Sequence, residues 1–183
     1  MTDTELTALN IKSARYYGPQ LQMNHFTEEL AELIQAVVDE VPQEIAEEIA
    51  DVEVMIEQMK VLNDLDPEEI KRGENEGNYA MCSRDPYNDN YIWALAAAIK
   101  SVNKLRRALR DTAMNDHISK ADAKIQQDDA KKDFEYRIGH TVSCLSQLAD
   151  KYSIAAGEIR EIKSYKVQRT RDRIAHEEEN SNS

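Results

Sequence analysis

The stretch FTEELAELIQAVVDEVPQEIAEEIADVEVMIEQMK, residues 26–60, decides the fold that we predict for this chain. It contains eleven acidic side chains, a single basic one and no glycine. Its apolar residues recur every three or four positions in two runs, which is the period of an amphipathic α-helix. Pro42 separates the runs, and proline either ends a helix or occupies its first turn. Residues 26–60 therefore predict two consecutive helices that pack as an antiparallel pair.

The remainder of the chain carries the same helical signal. Its 183 residues include only five glycines and four prolines, so few positions interrupt helical hydrogen bonding. We predict one all-α domain over residues 1–183, with a loop at 73–90 and a polar tail at 177–183. A short helix is expected after Pro67, and the other predicted helices span about 4–16, 21–41, 43–63, 90–112, 120–151 and 154–176.

Composition restricts the partners and the compartment. A net charge of −12 argues against nucleic acid as a partner, because phosphate backbones bind basic surfaces. Cys82 and Cys144 show neither zinc-ligand spacing nor a disulfide pattern, so a reducing cytoplasm is the predicted location. No window approaches 18 consecutive apolar residues, so a membrane partner is not expected.

Several acidic residues fall where a helix should be apolar. Glu48 projects into the apolar face of the predicted helix at 43–63, and Asp51 lies at the edge of that face. The preceding helix carries a second acidic group, formed by Glu28, Glu29 and Glu32. Neighbouring carboxylates withdrawn from water repel one another unless a cation compensates, and oxygen ligands without His or Cys suit Mg²⁺ or Mn²⁺. The alternative is an ordinary solvated acidic face.

Residues 28–32, EELAE, are followed after fifteen residues by EIAD at 48–51. This arrangement matches an ExxE, spacer, ExxD signature, and the chain resembles the MazG-like all-α nucleoside triphosphate pyrophosphohydrolases. The resemblance extends over residues 24–37 and 47–62 and, less specifically, over the basic segment at 158–174, which together make about a quarter of the chain. It implies a MazG-like helical bundle.

The resemblance also implies an enzyme that hydrolyses (deoxy)nucleoside triphosphates to monophosphate and pyrophosphate with Mg²⁺, or with Mn²⁺ in its place. Glu29, Glu32, Glu48 and Asp51 would bind the metal, with Glu28 as an additional acid. Either Glu32 or Glu48 would orient the attacking water as the general base. A dUTPase-like or phosphoribosyl-ATP-type pyrophosphohydrolase would share this chemistry. A catalytically inactive adaptor would instead use the acidic helices as a docking face.

Four cations lie near one face of the last predicted helix and are the candidates for substrate phosphate contacts: Lys163, Lys166, Arg169 and Arg173. A triphosphate that approaches an acidic protein needs such cations in addition to a metal. A solvated basic face that balances acidic neighbours explains them equally well. His25 lies one turn before the ExxE segment and could face the same pocket.

The second half of the chain repeats the apolar rhythm of the first half. Residues 91–103 align without gaps with 26–38, and residues 138–159 align with 49–70. In these alignments other residue types replace every candidate metal ligand. Any two amphipathic helices can align in this way, so the alternative to a duplication is coincidence.

We predict tandem, pseudo-dimeric repeats over residues 1–75 and 90–176, of which the second has lost the metal site. The resemblance implies assembly from such helix pairs. We therefore expect a homodimer or a higher homo-oligomer.

Overall fold

The computed structural model describes residues 2–80, 88–114 and 119–181. Within these ranges it contains seven helices and no strand, which confirms the all-α prediction. The helices are α1 (Asp3–Tyr17), α2 (Pro19–Asp39), α3 (Pro42–Leu62), α4 (Pro67–Ala80), α5 (Asp89–Met114), α6 (Lys120–Tyr152) and α7 (Ala156–Ser181). In the described part of the chain, no helix has the length and apolar character needed to cross a membrane.

Local sequence signals set the ends of the first three helices. At the start of α1, the Glu5 backbone N–H donates to the Thr2 hydroxyl at 3.3 Å, and the Thr2 N–H donates to the Glu5 carboxylate at 2.8 Å. Gly18 then takes a φ of 80°, which separates α1 from α2. Pro19 and Pro42 occupy the first turns of α2 and α3, where a missing N–H costs no helical hydrogen bond.

Helices α2, α3, α5 and α6 enclose one apolar core. Phe26 of α2 and Phe134 of α6 meet edge to face across it, with ring centroids 6.2 Å apart. The largest fully buried side chains come from all four helices: Tyr91, Phe26, Phe134, Met23, Leu30, Leu33, Ile45, Ile49, Met59, Leu95, Ile138 and Leu148. Helices α1 and α7 pack against α3, and α4 packs against α6.

Two predicted irregular segments are wrong in part. Residues 73–80, expected to be a loop, belong to α4, and residues 177–181, expected to be a tail, extend α7. Glycine suggested the loop, yet Gly73 permits close packing, because a Cβ there would lie 2.1 Å from the Tyr136 carbonyl oxygen. At the other end of the expected loop, residues 89–90 belong to α5, and residues 81–87 with Cys82 lie outside the described residues.

The ends of α3 and α6 share one local geometry at an offset of 89 residues. Asp64 and Ser153 both take a positive φ, of 47° and 56°. The next residue in each case donates its N–H to a carbonyl five positions earlier, at 3.1 Å and 2.8 Å. Helices α4 and α7 then begin at Pro67 and Ala156. These matched ends favour the tandem repeat, which stays a prediction.

Helices α2 and α3 form one pair, and α5 and α6 form another. The helix that follows each pair packs on the other pair: α4 packs against α6, and α7 packs against α3. At the positions aligned with Glu48 and Asp51, α6 carries Arg137 and His140, and Ala94 of α5 is aligned with Glu29. The candidate acidic ligands therefore lie on the α2–α3 pair.

Because α4 and α6 approach closely at Gly139, we predict that replacing this glycine by alanine destabilises the fold. A Cβ at Gly139 would lie 2.0 Å from the Ile70 carbonyl oxygen and 2.5 Å from the Glu74 nitrogen, so Gly139→Ala must separate the helices. We expect a loss of about 3 kcal/mol in the free energy of unfolding, measured by urea denaturation. Gly157→Ala is the matched control, because no atom lies within 4 Å of a Cβ there. Equal stability of the two variants would contradict this packing.

Candidate metal centre

Three carboxylates from the α2–α3 pair converge on one point. Glu29 of α2 and Glu48 and Asp51 of α3 each offer an oxygen, and these three atoms lie within 4.8 Å of one another. All three residues are partly buried. The antiparallel packing of α2 and α3 brings them together, because Glu48 and Asp51 lie one turn apart on the α3 face towards α2. We call this group the acidic cluster.

The acidic cluster is electrostatically strained. Burial, followed by the charges of Asp51, Glu32 and Glu48, raises the pKa of Glu29 to about 8. Burial and then the charge of Asp51 raise the pKa of Glu48 to about 7. Burial also raises the pKa of Asp51, against the opposing effect of Lys166. In each case the loss of hydration raises the pKa of the carboxylate more than the neighbouring positive charge lowers it.

One atom of the cluster lacks a partner. The Oε2 atom of Glu48 is buried and accepts no hydrogen bond. A buried carboxylate oxygen in that state is costly unless a proton or a cation compensates it. A divalent cation with a preference for oxygen fits this donor set, which contains carboxylates and no nitrogen or sulfur ligand. The residues present therefore fit Mg²⁺ or Mn²⁺.

The structure separates the five predicted acidic ligands. Glu29, Glu48 and Asp51 come together as the acidic cluster. Glu32 is exposed at its edge, near enough that its charge contributes to the raised pKa values of Glu29 and Glu48. Glu28 is exposed and is not a member of the cluster. Three of the five candidates therefore lie together and two do not, and their role as metal ligands stays a prediction.

Helix α7 brings positive charge to the cluster. The Lys166 ammonium group donates to the Asp51 carboxylate. The charge of Arg169 also favours the ionised form of Asp51 and so lowers its pKa. Arg169 and Arg173 line the same cavity as Glu29 and Asp51. Three of the four predicted phosphate-binding cations therefore face the acidic cluster.

Lys163, the fourth predicted cation, is not at this cavity. Its ammonium group donates to Glu53 at 3.2 Å and to Glu57 at 2.6 Å. It borders a larger cavity of about 420 Å³ between α3, α6 and α7, which contains no member of the acidic cluster. Lys163 lies one turn before Lys166, so the helical projection of α7 alone did not separate their roles.

The cavity beside the acidic cluster has a volume of about 140 Å³ and a polar lining. Among its lining residues are Asn10, Ser13, Tyr17, Gln22, His25 and Gln58. The Gln58 amide donates to the Asn10 Oδ1 at 2.6 Å, while its own Oε1 is buried without a partner. Apart from His25, these residues were not predicted. Their sequence signal is the spacing of Asn10, Ser13 and Tyr17 along one face of α1.

Comparison of the chain with protein-family models, curated proteins and solved structures returns no match. The resemblance to MazG-like pyrophosphohydrolases therefore stays a prediction from the motif. The features of the molecule that bear on its function are the acidic cluster and the cations of α7 that line the cavity beside it.

Burial of the acidic cluster, together with repulsion within it, predicts an unusual pH dependence of stability. The folded-state pKa values of Glu29 and Glu48 lie above the unfolded value, so the folded protein binds more protons in the window between them. The associated stability is complete below the unfolded pKa and is lost as the pH rises through the folded pKa. In EDTA, we expect the Tm of the wild type to fall between about pH 5 and pH 8.

Glu48→Gln removes one of these charges, so its Tm is expected to fall less over the same range. Glu44→Gln is the control, because Glu44 is exposed on the same helix. Differential scanning calorimetry at a series of pH values measures the difference. Parallel Tm curves for the wild type and Glu48→Gln would contradict the strain.

Proposed function

We propose that this chain is a divalent-metal-dependent pyrophosphohydrolase that cleaves a (deoxy)nucleoside triphosphate to the monophosphate and pyrophosphate. The observation that carries the proposal is that two members of the acidic cluster, Glu29 and Asp51, line one cavity together with cations of α7. A site made of carboxylates alone would repel a triphosphate. A site that bound the triphosphate through cations alone would have no use for three neighbouring acids. A ligand that brings a metal ion together with phosphate groups suits both sets of charges.

The residues divide into two sets by chemistry. Glu29, Glu48 and Asp51 would hold Mg²⁺ or Mn²⁺, and the unpartnered Oε2 of Glu48 is the atom that most needs such a cation. When bound, the metal neutralises phosphate charge and lowers the pKa of a water molecule. Lys166 and Arg169 would bind the phosphate oxygens, because both already lie beside Asp51.

Hydrolysis requires a base for the attacking water. Glu32 suits this role better than Glu48, because it borders the acidic cluster without belonging to it. The water oxygen would form a bond to the α-phosphorus while the bond from that phosphorus to the α,β-bridging oxygen breaks. The electron pair of the broken bond would leave with pyrophosphate, and the water proton would pass to Glu32. Arg169 and Arg173 would stabilise the charge on the leaving pyrophosphate.

Pyrophosphate release from a panel of nucleoside triphosphates, including dUTP, and from phosphoribosyl-ATP tests the proposal. We expect release with Mg²⁺ and none with EDTA, because a triphosphate cannot approach the acidic cluster uncompensated. Glu48→Gln is expected to abolish release, and Glu44→Gln to preserve it as the matched acidic control on α3. Glu32→Gln is expected to lose about 100-fold or more in kcat.

The panel also separates the alternatives. Preference for dUTP or for phosphoribosyl-ATP would place the chain among the more selective pyrophosphohydrolases. Absence of metal-dependent release from all substrates by folded wild type would contradict the proposal and favour a non-enzymatic helical adaptor.

A further inference from the structure

Three arginines of α5 converge on a cavity remote from the acidic cluster. Arg106, Arg107 and Arg110, which we call the arginine cluster, line a cavity of about 540 Å³ together with Asn103 and Gln20. Gln20 belongs to the first turn of α2, so the cavity lies where the C-terminal half of α5 passes the start of α2. We propose that the arginine cluster binds a phosphate-bearing small-molecule anion.

The arginine cluster has unused hydrogen-bonding capacity. The Nε atom of Arg106 is buried without a partner, while one of its terminal nitrogens donates to the Asn103 Oδ1 at 3.3 Å. Arg107 has no ion pair or hydrogen bond to any described residue. Arg110 pairs with its half-exposed neighbour Asp111 at 3.1 Å, an arrangement that contributes little to stability. Two of the three guanidinium groups thus keep donors for a ligand.

This arrangement contrasts with other basic side chains of the molecule. Four examples have an acidic partner within 3.0 Å, namely Lys71 with Glu74, Arg72 with Glu69, Arg160 with Asp3 and Arg171 with Asp172. The chain carries 35 acidic residues against 23 Lys and Arg residues, so acidic partners are abundant. A site that keeps arginines without such partners in this background favours an anion from outside the chain.

The arginine cluster is separate from the acidic cluster. Glu29 lies nine residues after Gln20 on α2, which corresponds to about 14 Å along the helix axis and to the opposite face. The first turn of α2 contains no acidic residue, and Gly18 provides no side-chain cap. The partial positive charge of that helix end therefore adds to the field of the arginines.

The chemistry of the site selects phosphate. A planar guanidinium donates two parallel hydrogen bonds to a phosphate, and the amides of Gln20 and Asn103 add neutral donors. The cavity volume is in the range of small-molecule sites. Three cations on a chain of net charge −12 are too few to hold a nucleic acid backbone. A compact anion with more than one negative charge fits best.

Isothermal titration with inorganic pyrophosphate in EDTA tests the proposal. EDTA keeps divalent cations from the acidic cluster, so the result is independent of the proposed hydrolysis. We expect the wild type to bind and Arg106→Gln/Arg107→Gln to bind at least about tenfold more weakly. Arg160→Gln/Arg171→Gln removes the same charge from exposed, paired arginines and is expected to bind like the wild type. A nucleoside triphosphate titrated under the same conditions shows whether the phosphate can be part of a nucleotide.

Three results would overturn the proposal. Failure of both pyrophosphate and the triphosphate to bind the wild type would do so, as would equal weakening in the two double variants, which indicates nonspecific attraction. The third result comes from light scattering. If the wild type binds no anion and Arg106→Gln/Arg107→Gln changes the molecular mass of the particle, the arginine cluster is a contact with another copy of the chain. Thermal melting of both variants establishes that they are folded, because all four arginines lie at least partly in solvent.

Discussion

Mutual repulsion among Glu29, Glu48 and Asp51 is the interaction around which the rest of the structure is arranged. The apolar core holds α2 and α3 together and so forces the three carboxylates within 4.8 Å of one another. Lys166 compensates Asp51, but Glu48 keeps a buried oxygen without a partner. Burial of apolar side chains thus supplies the stability that the acidic cluster costs, and a bound cation would return part of it.

The position of α7 explains why one half of the molecule carries this site. Helix α7 comes from the second half of the chain but packs on α3 of the first half, and it carries Lys166 and Arg169 to the acidic cluster. Helix α4 makes the reciprocal contact with α6, where Gly73 and Gly139 let the two helices approach closely. If the predicted repeat is real, α5 and α6 carry other residue types at the positions aligned with the candidate ligands, and the second half would serve as a packing partner.

Most of the helices could be predicted from the sequence, because they depend on local periodicity. The meeting of Glu29 with Glu48 and Asp51 could be expected because the short connection at Pro42 lets α2 and α3 pack antiparallel. Glu48 and Asp51 were identifiable since they interrupt an apolar stripe. Glycine misled the prediction at residues 73–80, because a glycine in a loop and a glycine at a tight helix contact have the same local signal. The helical projection grouped Lys163 with Lys166, Arg169 and Arg173. It could not show the tertiary packing that brings Glu53 and Glu57 to Lys163. The polar residues of α1 that line the cavity were not predicted either, because only tertiary packing places α1 beside the acidic cluster.

A titration with Mn²⁺ at about pH 8, in which the electron paramagnetic resonance signal of the free ion is monitored, tests most directly whether the acidic cluster is a metal centre. We predict that the wild type and Glu44→Gln bind the ion, and that Glu48→Gln binds it at least about tenfold more weakly. Equal binding by the wild type and Glu48→Gln, or no binding by either, would contradict it.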